Sequence, residues 1–131
     1  MSPTLVSEQC VRVRALFRWQ RIDRGDIVTL RDPTSVAIKR VIGIPGDTLR
    51  LWMGYVYLNG IRLEESYVPT DVLTAAASAG AVLAAGPDEY IVMGDNRWES
   101  QDSPDYGPIR RSCIRGRVRN SNSCGFLINH E

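Results

Sequence analysis

A chain of 131 residues is the length of one domain with a single sizeable core, and 16 basic against 15 acidic residues give a formal net charge of +1, so no global field draws it to nucleic acid, anionic lipid or an acidic substrate. Three cysteines without close spacing, Cys10, Cys113 and Cys124, signal neither a disulfide framework nor a zinc site and leave their pairing open. No run reaches the roughly 20 apolar residues of a membrane helix, and no charged segment before an apolar core marks an export signal.

Apolar residues alternate with period two in "CVRVRAL" (10–16), "GDIVTL" (25–30) and "DTLRLW" (47–52), in runs rich in valine, isoleucine and tryptophan. Such alternation marks half-buried strands. It predicts strands near 10–14, 26–30, 35–43, 48–52, 55–58, 61–63, 89–93 and 112–118, and with them a mostly β fold of antiparallel sheets. Asn59-Gly60 in "YVYLNGIRL" (55–63) predicts a two-residue hairpin turn, since both residues tolerate positive φ. Breakers separate the other runs: Arg24-Gly25-Asp26, Asp32-Pro33, Pro45-Gly46-Asp47 and Gly86-Pro87-Asp88. The alanine-rich stretch "VLTAAASAGAVLAAG" (72–86) reads either as a short helix interrupted at Gly80 or as a surface insertion, and carries no chemistry.

Lys39 is the only lysine, against fifteen arginines. One reading is chance survival in a chain that writes arginine for its surface cations. The other is chemical: arginine is effectively never deprotonated, whereas burial in the apolar run "SVAIKRVIGI" (35–44) disfavours an ammonium, pulling its pKa below about 10.4 and suiting it to act as a base. Arg40, next along the strand, faces the other way, where an ion pair with a carboxylate is expected.

The loop "GDNRWESQDSPDYGPI" (94–109) gathers Asp95, Asn96, Arg97, Ser100, Asp102 and Ser103 within nine residues. Such a loop after a strand serves either a function or its own side-chain to backbone hydrogen bonds. The sole histidine, His130, is penultimate in an aperiodic tail, which argues against a Ser-His-Asp triad and a histidine-ligated metal. No metal or cofactor is expected. If the fold performs nucleophilic catalysis, the base is something other than histidine, and a serine paired with a neutral lysine is one known variant.

"RGDIVTL" (24–30), "IKRVIGIPGD" (38–47) and "EYIVMGDNRWESQDSPDYGPI" (89–109), with "PTL" (3–5) and "YLNG" (57–60), closely resemble the boxes of the type I signal peptidases in that family's order, over most of residues 1–118. The resemblance implies a signal-peptidase-like catalytic domain over 1–119, with a surface insertion at 70–88; residues 120–131, polar and aperiodic, break the family's pattern and read as a disordered or aberrant tail. It also implies a serine endopeptidase that removes signal peptides from exported preproteins by a Ser-Lys dyad, held at the membrane with its catalytic domain on the extracytoplasmic face. Lys39 matches the general base, Ser100 the serine whose hydroxyl orients that lysine, and Asp102 an acidic support. Leu5 and Ile38 match positions lining shallow pockets for the small residues of a cleavage site. Ala37 stands in the same region, where many relatives have tyrosine. An extended substrate would pair with an exposed strand edge. Asp26, Gly43, Asp47, Gly94, Asp95, Asn96 and Arg97 match motif positions read as structural.

The nucleophile departs from the pattern. The family's first box reads Ser-Met-x-Pro-Thr-Leu, and this chain begins "MSPTL", so the catalytic serine falls one residue before Met1. Ser2 is two positions off, roughly 6–7 Å along an extended chain, against the roughly 3 Å a proton transfer needs. The expectation is that a segment upstream of Met1 supplies the serine and the membrane anchor, and that the chain as it stands folds without cleaving. Pro104 replaces the arginine of the family's Asp-Ser-Arg, leaving Arg97 or Arg110 to partner Asp102.

Other readings compete. A catalytically dead peptidase fold would bind an extended peptide or a partner. A self-cleaving repressor-type peptidase shares the chemistry, but no helix-turn-helix precedes the domain. In "RRSCIRGRVRN" (110–120) arginines alternate with Ile114 and Val118 as on a solvated strand face, without stacking aromatics, so no nucleic acid is expected.

Overall fold

The computed structural model describes residues 10–31, 36–68, 82–95, 97, 103–120 and 126–127. They form strands β1 (Cys10–Ala15), β2 (Ile27–Arg31), β3 (Val36–Gly43), β4 (Thr48–Trp52), β5 (Tyr55–Leu58), β6 (Ile61–Arg62), β7 (Val82–Ala84), β8 (Glu89–Met93), β9 (Ile109–Arg110), β10 (Ile114–Asn120) and β11 (Phe126–Leu127). A single turn of helix, α1 (Ser103–Tyr106), and a 3-10 turn at Arg111–Cys113 complete the described elements. The strands make a seven-stranded sheet, ordered β11-β1-β10-β2-β3-β8-β9, and a four-stranded sheet, ordered β6-β5-β4-β7. All their pairings are antiparallel.

Alternation decides the layering. In β4, Leu49 and Leu51 are buried while Thr48, Arg50 and Trp52 are exposed. The buried side joins Val56 and Ala85 to Ile42, Ile91 and Met93 of the large sheet, forming the core between the sheets. A second cluster, Ile22, Val28, Leu30, Val41, Val92 and Ile114, packs separately, and a third gathers Val13, Ile27 and Val118 around Ile38. Along β3, alternation puts Ile38, Arg40 and Ile42 on one face and Ala37, Lys39 and Val41 on the other.

Each strand read from the sequence is present, with ends within two residues of those predicted. Within the segment read as an insertion at 70–88, Val82–Ala84 form β7. Val82–Ala84 pair with β4, through Thr48↔Ala84, Leu49↔Leu83 and Arg50↔Val82, because an open edge of β4 and an inward pocket for Leu83 outweigh alanine's helix preference. In the tail read as disordered or aberrant, Phe126–Leu127 form β11, pairing Phe126 with Val11 and Leu127 with Cys10. Residues 69–81, 121–125 and 128–131 lie outside the described residues. Cys113 carries a free thiol.

Both tight hairpins of the small sheet turn through the left-handed region. Asn59-Gly60 has φ of 51° and 84°, as its sequence predicts, and Met53-Gly54 repeats the same values. Methionine gives no turn signal, since its Cβ makes that conformation cost about 1 kcal/mol. Between Val41 and Gly43 the pairing of β3 with β8 slips by one residue and sets Gly43 against Ile91. A Cβ on Gly43 would lie 3.0 Å from Ile91 Cδ1.

One carboxylate ties the crossing between the sheets. Asp47 is buried and accepts hydrogen bonds from Arg24 Nε (2.7 Å) and Nη2 (2.6 Å), Ile44 N (2.9 Å) and Asn59 Nδ2 (3.0 Å). These donors, the Arg24 guanidinium foremost, hold its pKa at about 2, below the ordinary 3.8. The unfolded chain takes up this proton at higher pH than the folded one, so the stability the carboxylate supplies is complete above about pH 5 and is lost as pH falls from about 4 to 2. Asp47→Asn is expected to cost about 1–3 kcal/mol at neutral pH, with the gap to the parent chain closing at about pH 2. Urea unfolding followed by circular dichroism across that range measures it.

Candidate active site

Lys39 stands on β3 directly across from Val28 of β2, on the face whose apolar cluster includes Val28 and Val41. It is 6% exposed. The strand that carries it is paired unevenly. On one side β2 runs its whole described length, from Ile27↔Arg40 to Arg31↔Val36. On the other, β8 meets only Arg40, Val41 and Gly43. Among the described residues, no strand pairs the second side of Val36–Lys39. The buried amine therefore sits at the inner end of a stretch that, among the described residues, is paired on one side only.

The adjacent Arg40 meets the expected carboxylate on the opposite face. Its Nε and Nη2 donate to Asp95 Oδ1 (3.0 Å) and Oδ2 (2.8 Å), and its Nη1 donates to the Gly25 carbonyl (3.0 Å). The guanidinium also lies over the Tyr67 ring, 4.0 Å from its centre. Asp95 is fully buried. One side chain thus joins β3, the turn before β2, the end of β8 and the segment after β6.

Asp95 begins the polar loop, whose other end is equally tied. Ser103, fully buried, accepts a hydrogen bond at Oγ from the Val92 amide (2.8 Å). Arg97, also buried, donates through Nε to the Gly94 carbonyl (2.8 Å) and pairs with Glu65 through Nη1 to Oε1 (2.9 Å) and Nη2 to Oε2. Glu65 Oε2 in turn accepts from the Tyr67 hydroxyl (2.8 Å). Burial first, and then Glu65, pushes that hydroxyl's pKa up, so it stays a donor.

Leu5, Ser100 and Asp102 lie outside the described residues, as do Met1 and Ser2. Ala37, half-buried, shares the Lys39 face, and Ile38 packs on the opposite one against Val13, Ile27 and Val118. A pocket that drew on both would have to wrap the edge of β3. Sequence reading missed Glu65 and Tyr67, because nothing in local spacing marks a partner 32 positions from Arg97. Among the described residues, no group of three histidine, cysteine, aspartate or glutamate side chains is placed to hold a metal ion.

The family described as "Signal peptidase, peptidase S26" matches residues 1–121. The chain belongs to the signal peptidase family. Within that family it is 35% identical over 128 residues to a probable signal peptidase I-2 of Synechocystis sp., a match covering 90% of this chain and 56% of that protein. It is 36% identical to signal peptidase I S of Bacillus subtilis over 79% of this chain and 60% of that protein. A signal peptidase I of Leptolyngbya laminosa is 33% identical, over 90% and 62% respectively. The chain thus spans little more than half the length of these signal peptidases. Its fold matches the crystal structure of a signal peptidase I from Enterococcus faecalis V583 with a TM-score of 0.63 and 25% identity, covering 76% of this chain and 98% of that one.

Removing one partner of a buried, bidentate ion pair leaves an uncompensated charge. Arg40→Ala and Asp95→Ala are each expected to cost about 3–5 kcal/mol, and the double variant Arg40→Met with Asp95→Leu to recover part of that loss. Urea unfolding of the three variants supplies the comparison.

Proposed function

We propose that this chain is the catalytic domain of a signal peptidase I, a serine endopeptidase that removes signal peptides from exported preproteins, with Lys39 as the general base of a Ser-Lys dyad. The observation that carries this reading is the placement of the sole lysine, buried on β3 at the end of a stretch whose second side no described strand pairs, within the segment matched by the family. Burial favours the neutral form of an amine, and a neutral amine is what the chemistry requires. The serine Oγ attacks the scissile carbonyl carbon while Lys39 Nζ takes its proton. The ammonium returns that proton to the leaving amine. Lys39 then takes a proton from a water as it attacks the acyl carbon, and returns that proton to the departing serine Oγ, which releases the acid and restores both serine and neutral amine.

Ser100 orients the lysine and Asp102 supports that loop, whose ends are held by Asp95 and Ser103. The substrate adds to the Val36–Lys39 edge as a strand, backbone bonds giving affinity and small pockets at Leu5, Ala37 and Ile38 giving selectivity. The enzyme works at the membrane, with this domain on the extracytoplasmic face. Among the described residues no helix is long and apolar enough to cross a membrane. The relatives are longer than this chain.

Turnover of a signal-peptide substrate tests the reading. The 131-residue chain is expected to be inactive, and a form extended upstream with Gly-x-Ser to cleave. In the extended form, Lys39→Arg should lower kcat by roughly a thousandfold or more, since arginine cannot give up its proton. Cleavage by the unextended chain, or undiminished cleavage by extended Lys39→Arg, overturns the proposal. Substrate binding by the extended form without cleavage makes the domain a binding module instead.

A further inference from the structure

The turn that follows β6 reaches from the small sheet to the polar loop. Leu63 hangs it from β5, its amide donating to the Val56 carbonyl (2.8 Å), and the Val68 amide closes it on the Glu65 carbonyl (3.1 Å). Leu63 and Tyr67 pack on the core between the sheets, and Val68 is buried. Pinned at both ends, the turn presents two side chains to one place. These are the Glu65 carboxylate, 11% exposed, and the Tyr67 hydroxyl that donates to it at 2.8 Å.

Together they join the two ion pairs beside the site. Glu65 accepts both arms of the Arg97 guanidinium. Tyr67 lays its ring under Arg40, 4.0 Å away, and the fork of Arg40 holds Asp95. Arg97 follows Asp95 by two residues, its amide donating to the Asp95 carbonyl (3.1 Å). Two guanidinium groups and two carboxylates thus balance in charge around one neutral phenol that touches both pairs. A buried charge is compensated only by partners at the right distance, so such a network holds its members in one arrangement. Burial first, and then Glu65, keeps the phenol protonated, so its link to the carboxylate persists through neutral and mildly alkaline pH.

We propose that Glu65 and Tyr67 are positioning residues for the cleavage reaction, locking Arg40 and Arg97 into one unit that sets where β3 holds Lys39 and where the loop carrying Ser100 leaves β8. This role rests on the peptidase reading of Lys39. Both residues act through other side chains, Arg40 next to Lys39 in one direction and Arg97 within the loop in the other. Proton transfer needs its partners within about 3 Å, and a displacement of about 1 Å costs on the order of a hundredfold in rate. A turn of the small sheet therefore serves chemistry performed on the large one.

Steady-state cleavage of a signal-peptide substrate by the form extended with Gly-x-Ser tests it. Glu65→Gln should lower kcat about tenfold or more and Tyr67→Phe about fivefold, the loss of a charged and of a neutral hydrogen bond, with KM held within about twofold. Because the hydroxyl acts through the carboxylate, the double variant should be no slower than Glu65→Gln alone. Tyr67→Leu, which also removes the ring under Arg40, should be slower than Tyr67→Phe. Leu51→Ala, a core substitution away from the turn's hydrogen bonds, should destabilise the fold at least as much and leave kcat unchanged. In the 131-residue chain, Glu65→Gln should speed hydrogen exchange at the amides of 92–95 about tenfold while those of β10 keep their protection. The proposal is overturned by undiminished kcat in Glu65→Gln and Tyr67→Phe, by a loss confined to KM, by an equal loss in Leu51→Ala, or by unchanged exchange at 92–95. An extended parent that does not cleave removes the peptidase reading and this role with it, a result distinct from a parent that cleaves beside variants as fast as itself.

Discussion

The Arg40–Asp95 pair is the joint around which the site is assembled. Alternation along β3 forces neighbouring cations onto opposite faces, so anchoring Arg40 beneath the sheet fixes the side on which Lys39 emerges. Because Asp95 opens the polar loop, the same bond that sets the strand also sets where that loop departs from β8. Residues far apart in sequence, from Gly25 to Asp95, converge on one guanidinium. A shift of β3 by one residue would exchange the two cations and bury a guanidinium where the amine now lies.

Arginine–carboxylate pairs recur at the other connections. Arg24 with Asp47 fastens the crossing between sheets, and Arg97 with Glu65 fastens the polar loop to the segment after β6. Each guanidinium uses its planar fork to make two bonds with one carboxylate, a geometry closed to lysine. The abundance of arginine in this chain therefore has a structural component beyond surface charge. Lys39 differs in kind, bringing a single-point amine to a buried position.

The strands were legible because their alternation is strict and their turns use residues with clear conformational preferences. Leu49 and Leu51 between exposed neighbours, or Asn59 before Gly60, leave little choice of structure. What escaped depended on long-range pairing. β7 is written in alanine-rich sequence and becomes a strand only because β4 offers an edge. The Met53-Gly54 turn lacks the usual residue for its backbone. At the site, the pairing of Arg40 followed from strand alternation, but its partner, and that of Arg97, came from segments no local pattern connects. Where β8 stops along β3 was likewise invisible, since it is a property of the sheet and not of either strand alone.

The slip between β3 and β8 gives the large sheet a point of leverage. With no side chain at Gly43, the Ile91 side chain closes over the β3 backbone there, and an added methyl would press Ile91, and β8 with it, away from β3. The gap would open on the very pair of strands that carry Arg40 and lead into Asp95, so an alteration in the apolar interior would be felt as misalignment of a charged clasp. Mechanical tolerance at the amine is thus set by the smallest residue on its strand.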